Sequence, residues 1–255
     1  MNKGNIMRSV GRRPMDKWRL WRTATLGLLI MVVGWILVTT ILFAWYAKDL
    51  PRPDKIVRGE GFATRIFDRS NELLYDVYGD QRRTPVTLAQ IPEKLRQATV
   101  AVEDKDFYRH QGFDPKGITR AFLNIALRGK LQGGSTLTQQ LVKNVLLTSE
   151  RSLGRKIKEF ILAVQIEKKF TKDEILQMYL NEAPYGGTAW GVESAAEVYF
   201  DKPVSEVNLV EAAILAGMPQ RPSAYSPFGS NPKAYVGRAE QVLRRMREDG
   251  YISKF

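Results

Sequence analysis

A long uncharged, apolar segment near the N-terminus constrains this chain more than any other feature. No charged residue occurs from Thr23 to Ala47. At a helical rise of about 1.5 Å per residue, such a segment crosses a hydrocarbon core of about 30 Å. The apolar run exceeds the roughly 7 to 15 residues of a cleaved signal peptide, and no clear small-x-small cleavage site follows it. The sequence therefore predicts an uncleaved transmembrane helix over residues 23–47.

The charges on either side of this segment predict its orientation. Seven basic residues and one acidic residue precede it, so the positive-inside rule keeps residues 1–22 in the cytoplasm. The formal net charge is +12, and 32 basic and 26 acidic residues follow the segment. That part is only mildly basic and is expected outside the cytoplasm. Nucleic acid is therefore not expected as a partner, whereas anionic lipid headgroups or a pyrophosphate-bearing substrate are favoured.

The remainder of the chain predicts one small hairpin followed by helices. Alternating apolar residues flank the turn-forming sequence Asp68–Asn71, which is typical of a β-hairpin. From Ile91 onward helical signals dominate, among them Pro92 and the capping box Thr171–Glu174. We divide the chain into a basic cytoplasmic tail, a transmembrane anchor, a linker with the hairpin and a helical domain, over residues 1–22, 23–47, 48–90 and 91–255 respectively.

The cysteine and histidine content restricts the chemistry that the chain can perform. Its 44% hydrophobic and 26% charged composition is that of a folded protein. It has no cysteine and one histidine, which excludes disulfide frameworks, thiol nucleophiles and multi-histidine metal sites. Any reaction must use carboxylates, hydroxyls, amides and cations.

A cluster of carboxylates is the first candidate site. Glu103, Asp104 and Asp106 follow directly after the apolar run 98–102. Burial at a helix end can raise the pKa of a carboxyl group toward neutrality and make it a general base. Acidic clusters at helix ends are also commonly solvated, so the residues alone leave both interpretations open. His110 fits a hydrogen-bonded structural histidine better than a catalyst.

The second candidate, over residues 132–144, combines two glycines with two adjacent glutamines. The glycines permit a tight turn into a helix N-terminus, whose free N–H groups favour anionic oxygens. The segment is not a P-loop, because the pattern GxxxxGK[ST] is absent. Gln139 and Gln140 suit ligand binding, whereas Ser135 or Thr136 equally suits an ordinary N-cap.

A basic cluster within a predicted helix over residues 152–170 is the third candidate. The apolar stripe of this helix places Arg155 and Glu159 together on another face, one turn apart. A surface ion pair of little energetic weight is the alternative. Arg221–Tyr225 is a fourth and weaker candidate, for which a plain loop is the default.

Taken together and in order, these segments closely resemble the signature blocks of glycosyltransferase family 51. This family comprises the peptidoglycan glycosyltransferase domains of class A penicillin-binding proteins and the monofunctional transglycosylases. The matching blocks are EDxxFxxHxG at Glu103, GGSTxTQQ at Gly133, RKxxE at Arg155, KxEILxxYLN at Lys172 and RPSxY at Arg221. Any one block is weakly specific, but five in order are highly specific. The hairpin and the Gly250–Ile252 ending look more like the bifunctional branch, but a monofunctional protein and the N-terminal part of a bifunctional one both stay open as interpretations.

The resemblance implies both a fold and an activity. The fold is mainly α: a lysozyme-like, two-lobed helical domain with a small β-hairpin, preceded by one N-terminal transmembrane helix. The activity is the polymerisation of lipid II into β-1,4-linked glycan strands, with inversion and release of undecaprenyl pyrophosphate. The implied location is the bacterial cytoplasmic (inner) membrane, as a single-pass protein with its catalytic domain on the outer, periplasmic side. The implied partners are lipid II, the growing glycan strand, the membrane and other cell-wall synthesis proteins.

The resemblance also assigns roles to individual residues. Glu103 is implied as the catalytic base and Glu159 as the second catalytic carboxylate. The residues implied to bind the pyrophosphate and the rest of the donor are Arg120, Ser135, Gln139, Gln140, Lys143, Arg151, Arg155 and Lys156. No cofactor is obligatory and no dedicated metal motif is present, although a divalent cation such as Mg²⁺ can sit at the pyrophosphate.

Two alternative functions stay open at this point. A lysozyme-like muramidase or lytic transglycosylase would share the fold and the catalytic glutamate but would cut glycan. The cations around Glu159 disfavour it, because a neutral glycosidic bond has no pyrophosphate to neutralise. A non-catalytic cell-wall scaffold is disfavoured by the five intact blocks.

Overall fold

The chain forms two compact units, Met1–Lys48 and Asp49–Phe255. The computed structural model describes residues 17–48, 50–56, 64–70, 73–77, 82–115, 117, 119, 134–147, 150, 152–229 and 231–253. Two of the predicted site residues, Arg120 and Arg151, lie outside these described residues.

The first unit contains one long helix, α1 (Lys17–Ala47). Its segment Trp21–Ala47 is long and apolar enough to cross a membrane, and no part of it is buried within the protein. Thr39 and Thr40 donate their hydroxyl hydrogens to carbonyl oxygens one turn earlier, at 2.8 Å and 2.7 Å. These bonds satisfy the hydroxyl donors without water, as a helix surrounded by lipid requires. The predicted apolar helix before the main domain is confirmed.

The described residues of the second unit include two small sheets. Strands β1 (Thr64–Phe67) and β2 (Leu73–Val77) pair antiparallel and form the predicted hairpin. The second sheet has the order β3-β5-β4, from β3 (Arg82–Arg83), β4 (Pro184–Gly186) and β5 (Ala189–Trp190). In it β3 runs parallel to β5, and β4 runs antiparallel to β5. Through the pairing of β3 with β5, this sheet connects residues 82–83 to residues 189–190.

Helices make up most of the second unit. They are α2 (Glu93–Glu103), α3 (Leu137–Val145), α4 (Leu153–Lys169), α5 (Lys172–Glu182), α6 (Val192–Phe200), α7 (Leu209–Gly217), α8 (Pro222–Tyr225) and α9 (Ala234–Glu248). One-turn 3₁₀ helices occur at Pro53–Ile56, Leu88–Gln90, Val204–Glu206 and Met218–Gln220. The predicted mainly α fold with a small hairpin is confirmed.

Side-chain caps determine where the helices near the site begin. The Thr136 hydroxyl accepts the backbone N–H of Gln139 at 3.3 Å, and the Ser152 hydroxyl accepts that of Arg155 at 3.1 Å. Thr171 and Glu174 form the capping box that the sequence predicts at the start of α5. Such caps satisfy N–H groups that have no partner within the helix. They set the starting points of α3 and α4, which carry most of the candidate site.

The helices pack in two groups. Helices α2, α7 and α9 pack against one another, and so do α3, α4 and α5. Leu95 and Val242 are fully buried in the first group, as are Leu141, Leu162 and Leu176 in the second. This arrangement gives the unit two lobes, and both contribute to the cavity described below.

The segment between the hairpin and α2 packs against α5. The Val86 N–H donates to Asn181 Oδ1 at 2.9 Å, and the Leu88 N–H donates to Gln177 Oε1 at 2.8 Å. Arg83 forms a buried ion pair with Glu182, the last residue of α5. The division of the chain at residue 90 stays a prediction.

Candidate active site

A polar cavity of about 640 Å³ lies where α2 and α9 face α3. Carboxylates and cations supply much of its wall. The charged lining residues are Glu103, Asp104, Lys105, Asp106, Asp114, Lys143, Arg238, Arg245, Glu248 and Asp249. Such a wall suits a hydroxyl-rich or anionic substrate better than an apolar one.

Glu103 is held on the wall of this cavity through both of its carboxylate oxygens. It is the last residue of α2, and its side chain is 8% exposed. Gln140 Nε2 donates to Glu103 Oε2 at 2.8 Å, and Arg238 Nη2 donates to Glu103 Oε1 at 3.2 Å. The buried run 98–102 brings the carboxylate here, so the interpretation as a solvated acidic cluster is wrong for Glu103.

Two buried tyrosines lie close enough to Glu103 to interact with its charge. Burial, followed by the charge of Glu103, raises the pKa of Tyr179 well above its usual value, and the same two causes raise that of Tyr185. Both phenols therefore stay neutral at physiological pH. The Tyr179 hydroxyl donates to Gln140 Oε1 at 3.4 Å, which turns the amide N–H₂ of Gln140 toward Glu103.

Asp104 connects the end of α2 to the start of α3. It accepts the backbone N–H of Leu137 at 2.9 Å, and His110 Nε2 lies 3.0 Å from both of its carboxylate oxygens. The Thr136 hydroxyl donates to the carbonyl of Gly112 at 2.9 Å. These contacts agree with the structural interpretation of His110.

The third candidate segment forms a charge cluster around the buried Glu159, beside the cavity. Glu159 is buried; Arg155 Nε lies 3.2 Å from its Oε1, and Lys156 Nζ lies 2.8 Å from its Oε2. Lys156 Nζ also donates to the hydroxyl of Ser135 at 2.7 Å, and Ser135 lines the cavity. The burial of Glu159 sets this cluster apart from an ordinary surface ion pair.

Lys143 interacts electrostatically with both glutamates of the site, Glu159 and Glu103. Burial is the main cause that lowers the pKa of its ammonium group, and Arg155 and Lys156 lower it further. Glu159 and, more weakly, Glu103 raise it. Lys143 lines the cavity and therefore places a positive charge within reach of both carboxylates.

The structure brings most of the predicted site residues together. Glu103, Ser135, Gln140 and Lys143 line the cavity, and the cluster of Arg155, Lys156 and Glu159 adjoins it through Ser135. Gln139 is buried and does not occur among the described residues that line the cavity.

Sequence reasoning missed Arg238, which belongs to none of the five blocks. It lies on α9 with a side chain that is 4% exposed, and it contacts Glu103 directly. One signal could have revealed it. Arg238, Val242 and Met246 follow one another at intervals of four residues and are all buried, so a cation interrupts an apolar stripe.

Known proteins resemble the chain over most of its length. The model of a family described as transglycosylase matches residues 70–247. Penicillin-binding protein 1A of Aquifex aeolicus (strain VF5) is 42% identical over 231 residues, which cover 89% of this chain and 31% of that protein. Penicillin-binding protein 1A of Escherichia coli (strain K12) is 48% identical over 191 residues, which cover 74% of this chain and 22% of that protein.

A crystal structure of penicillin-binding protein 1A from Haemophilus influenzae also matches, with a TM-score of 0.41 and 28% identity over 75% of this chain and 19% of that one. The chain spans between 22% and 31% of the length of the curated relatives it matches. The residues matched by the family model include both glutamates, the cations around them and Arg238. The chain belongs to the transglycosylase family, glycosyltransferase family 51.

Proposed function

We propose that the chain is a membrane-anchored peptidoglycan glycosyltransferase. It polymerises lipid II into β-1,4-linked glycan strands, with inversion and release of undecaprenyl pyrophosphate. The observation that carries the proposal is one polar cavity that is lined by Glu103, whose side chain is 8% exposed, and by Lys143. Through Ser135 this cavity adjoins two further cations, Arg155 and Lys156. Membership of the transglycosylase family supports it.

The carboxylate supplies the base that the reaction needs. The 4-hydroxyl of the acceptor sugar attacks the anomeric carbon of the donor on the face opposite the α-linked pyrophosphate. The new C–O bond forms as the bond to the pyrophosphate breaks, and the electron pair of that bond leaves with the pyrophosphate. The hydroxyl proton passes to Glu103. General-base assistance of this kind is typically worth about 10²- to 10⁴-fold in rate.

The cations stabilise the leaving pyrophosphate, which needs charge neutralisation more than protonation. Lys143 faces the cavity, and Glu159 holds the side chains of Arg155 and Lys156 in place beside it. Ser135 and Gln140 contribute polar groups on the donor side. Gln139, Arg120 and Arg151 keep their donor-binding roles in the proposal on the strength of the family resemblance. A muramidase that cleaves a neutral glycosidic bond would have no use for this set of cations.

A divalent cation enters the proposal only through the substrate. No group of three or more His, Asp or Glu side chains that could hold a metal occurs in the part of the chain that the structure describes. Magnesium in phosphate-binding sites commonly keeps its waters and binds through one or two carboxylates and the phosphate oxygens. An ion carried on the pyrophosphate would share in its neutralisation with Lys143 and Arg155.

The anchor gives the proposed location and partners. We assign the segment Trp21–Ala47 as a single-pass anchor in the bacterial cytoplasmic (inner) membrane. The basic residues before it support an N-terminus in the cytoplasm and a cavity on the outer, periplasmic side, by the positive-inside rule. The cavity is then on the same side of the membrane as the lipid II that it would use, and cell-wall synthesis proteins are accessible there as partners.

The decisive experiment is Glu103→Gln in the full chain. This variant keeps the shape of the side chain and its contact with Arg238, but it cannot take up the proton. We expect it to fold, to bind lipid II or a phosphoglycolipid inhibitor of the moenomycin type nearly as well as the parent, and to form no glycan strands on a gel. A variant that keeps more than about a tenth of the parent rate would show that Glu103 is not the base.

The chain offers a closely matched control, Glu182→Gln. Glu182 ends α5 as Glu103 ends α2, both side chains are 8% exposed, and each pairs with a buried arginine. We expect Glu182→Gln to lower the melting temperature about as much as Glu103→Gln and still to produce glycan strands. If both variants lost activity in proportion to stability, Glu103 would be a structural residue.

A further inference from the structure

We propose that Arg238 is a positioning residue of this site, which keeps Glu103 ionised and oriented toward the acceptor hydroxyl. The inference rests on the function proposed above and adds to it a residue on α9 that none of the sequence blocks contains. Arg238 acts through Glu103 and is not itself assigned a contact with substrate.

The guanidinium of Arg238 is fixed by three hydrogen bonds in three directions. Nε donates to the carbonyl of Gly217 at 3.2 Å, Nη1 donates to Gln241 Oε1 at 2.9 Å, and Nη2 donates to Glu103 Oε1 at 3.2 Å. The group also lies 5.8 Å from the centre of the Tyr225 ring. A planar group held in this way is organised before any substrate arrives.

The end of α7 is shaped to let Arg238 pass. A Cβ atom on Gly217, the last residue of α7, would lie 2.7 Å from Cγ of Arg238. Since this is closer than real Cβ contacts, a larger residue at 217 would displace the arginine side chain. The absence of a side chain at Gly217 allows Arg238 to reach from α9 across to Glu103 on α2.

Arg238 provides a permanent positive charge in direct contact with the Glu103 carboxylate. Among the described residues, the titratable groups that interact with Glu103 or lie beside it are Lys143 on α3, Tyr179 on α5, Tyr185 on β4 and the adjacent Asp104. A second arginine on α9, Arg245, also lines the cavity, but its Nη1 donates to the carbonyl of Val102 at 2.6 Å. The two phenols are neutral, and burial lowers the pKa of Lys143, so its charge is lost as the pH rises.

Burial also lowers the pKa of Arg238, while the charge of Glu103 raises it. A guanidinium nevertheless stays protonated throughout the range in which enzymes work. Arg238 therefore differs from Lys143 in holding its charge at every working pH.

This charge is needed because Glu103 is largely withdrawn from water. Burial favours the neutral acid form of a carboxyl group, and a protonated carboxyl group cannot accept a second proton. An opposite charge within about 4 to 6 Å favours the ionised form instead. When the acceptor hydroxyl transfers its proton to Glu103, Arg238 keeps its own protons, and the ion pair becomes a hydrogen bond from a cation to a neutral acid.

The test is the pH–rate profile of lipid II polymerisation by full-length Arg238→Gln and Arg238→Lys. Without the positive charge, we expect the acidic limb of the Arg238→Gln profile to move to higher pH by about 1 to 3 units. Its rate should recover toward the parent rate as the pH increases. Arg238→Lys keeps the charge and should keep the limb near its original position, with a lower maximal rate because an ammonium group cannot reproduce the planar fork.

Arg83→Gln is the matched control. Arg83 is 3% exposed and pairs with a glutamate that is 8% exposed, against 4% and 8% for Arg238 and Glu103. The control should lose stability without any shift of the acidic limb. If Arg238→Gln lowers the rate by the same factor at every pH, the role of Arg238 is structural and the inference is overturned. If Arg238→Gln does not fold, Gly217→Ala displaces the same side chain, and an unmoved limb in that variant overturns the inference equally.

A substrate-free measurement separates this inference from the proposed function. In protein labelled with ¹³C at the glutamate carboxyl carbon, the Glu103 signal is the one missing from Glu103→Gln. We expect its titration to move to higher pH in Arg238→Gln. A shift in a protein that makes no glycan at any pH would sink the proposed function and leave the electrostatic effect of Arg238 standing. An unmoved titration in an active protein would sink the inference alone.

Discussion

At the residue scale, the two glutamates of the cavity have different surroundings and therefore different abilities. Glu159 contacts two cations, Arg155 and Lys156. Glu103 contacts one cation and one neutral amide and opens onto the cavity. This difference fits the proposed roles, in which Glu103 takes the proton of the acceptor hydroxyl and Glu159 orients the side chains around it.

Lys143 gives a prediction about alkaline pH. Because burial lowers its pKa below the usual 10.5, its charge is complete at low pH and is lost as the pH rises through the lowered value. We expect parent activity to fall on the alkaline side before a free lysine would titrate. Lys143→Arg should move this alkaline limb to higher pH, since a guanidinium keeps its proton. Rates measured from pH 6 to 11 provide the check.

Two further variants limit the interpretation of that result. Lys143→Ala removes a charge-assisted contact to phosphate worth roughly 1.5 to 3 kcal/mol, so donor use should fall by a factor of about 10 to 160. Lys94→Arg makes the same exchange at an exposed lysine whose ammonium bonds the Tyr251 carbonyl at 2.9 Å, and it should leave the profile unchanged. An alkaline limb that stays in place in Lys143→Arg would remove Lys143 from the pyrophosphate site.

The same residues show how far sequence alone leads to this site. Glu103 and Gln140 are identifiable because they stand inside ordered blocks, although a hydrogen bond between them is a property of the folded chain. Arg238 is recognisable only as a cation within an apolar stripe, and that pattern does not reveal which carboxylate it meets. Its partner is 135 residues away in sequence, a distance that only the packing of α9 on α2 closes.

At the scale of elements, the loop from α2 to Gly112 links the helix that carries Glu103 to α3, the helix that carries Gln140. Asp104 bonds the first N–H of α3, and Gly112 receives the hydroxyl of Thr136. Gly112 adopts a φ of +85° and packs so tightly on α4 that a Cβ would lie 2.9 Å from the carbonyl carbon of Ala163. This glycine therefore keeps three helices in register around the cavity.

Gly112→Ala tests this role. The substitution combines an unfavourable backbone conformation, which costs about 1 to 3 kcal/mol, with a collision against the backbone of α4. Gly187→Ala is the control, since Gly187 has a φ of +56° but open space around its Cβ position. Thermal denaturation should show a larger loss for Gly112→Ala than for Gly187→Ala. Equal losses would mean that only backbone strain matters and that the contact with α4 does not.

The helices and strands that could be predicted are those whose sequence signals lie within a few neighbouring residues. The capping box Thr171–Glu174 marks the start of α5 in sequence and in structure alike. The sheet β3-β5-β4 carries no such signal, because two of its strands are two residues long and show no alternation. The pairing of β3 with β5 depends on contacts between residues about a hundred positions apart, whereas β4 and β5 are neighbours in sequence.

At the scale of the whole molecule, the apolar helix and the catalytic unit are separate compact bodies within one chain. The first supplies a membrane-compatible surface and the second supplies the cavity. Since the substrate proposed for the cavity is itself held in a bilayer by its lipid, we expect the proposed anchor to raise the local concentration of the enzyme at that substrate.

Deletion of residues 1–47 tests this arrangement. We expect the shortened chain to stay folded, with helical content and melting temperature close to those of the second unit in the parent. It should polymerise liposomal lipid II more slowly than the parent. With lipid II in detergent micelles the two rates should converge, because a bilayer no longer concentrates the substrate. Equal rates on liposomes would show that the anchor does not present the substrate.

The chain contains nearly the same ion pair twice. Glu182 with Arg83 and Glu103 with Arg238 each join a buried carboxylate at the end of a helix to a buried arginine. The first pair is enclosed and serves as a cross-link between a strand and a helix, whereas the second borders open space. The two ion pairs differ in the open space beside Glu103, which Glu182 lacks. A larger side chain that filled the cavity next to Glu103 would therefore leave its carboxylate only the structural role that Glu182 has.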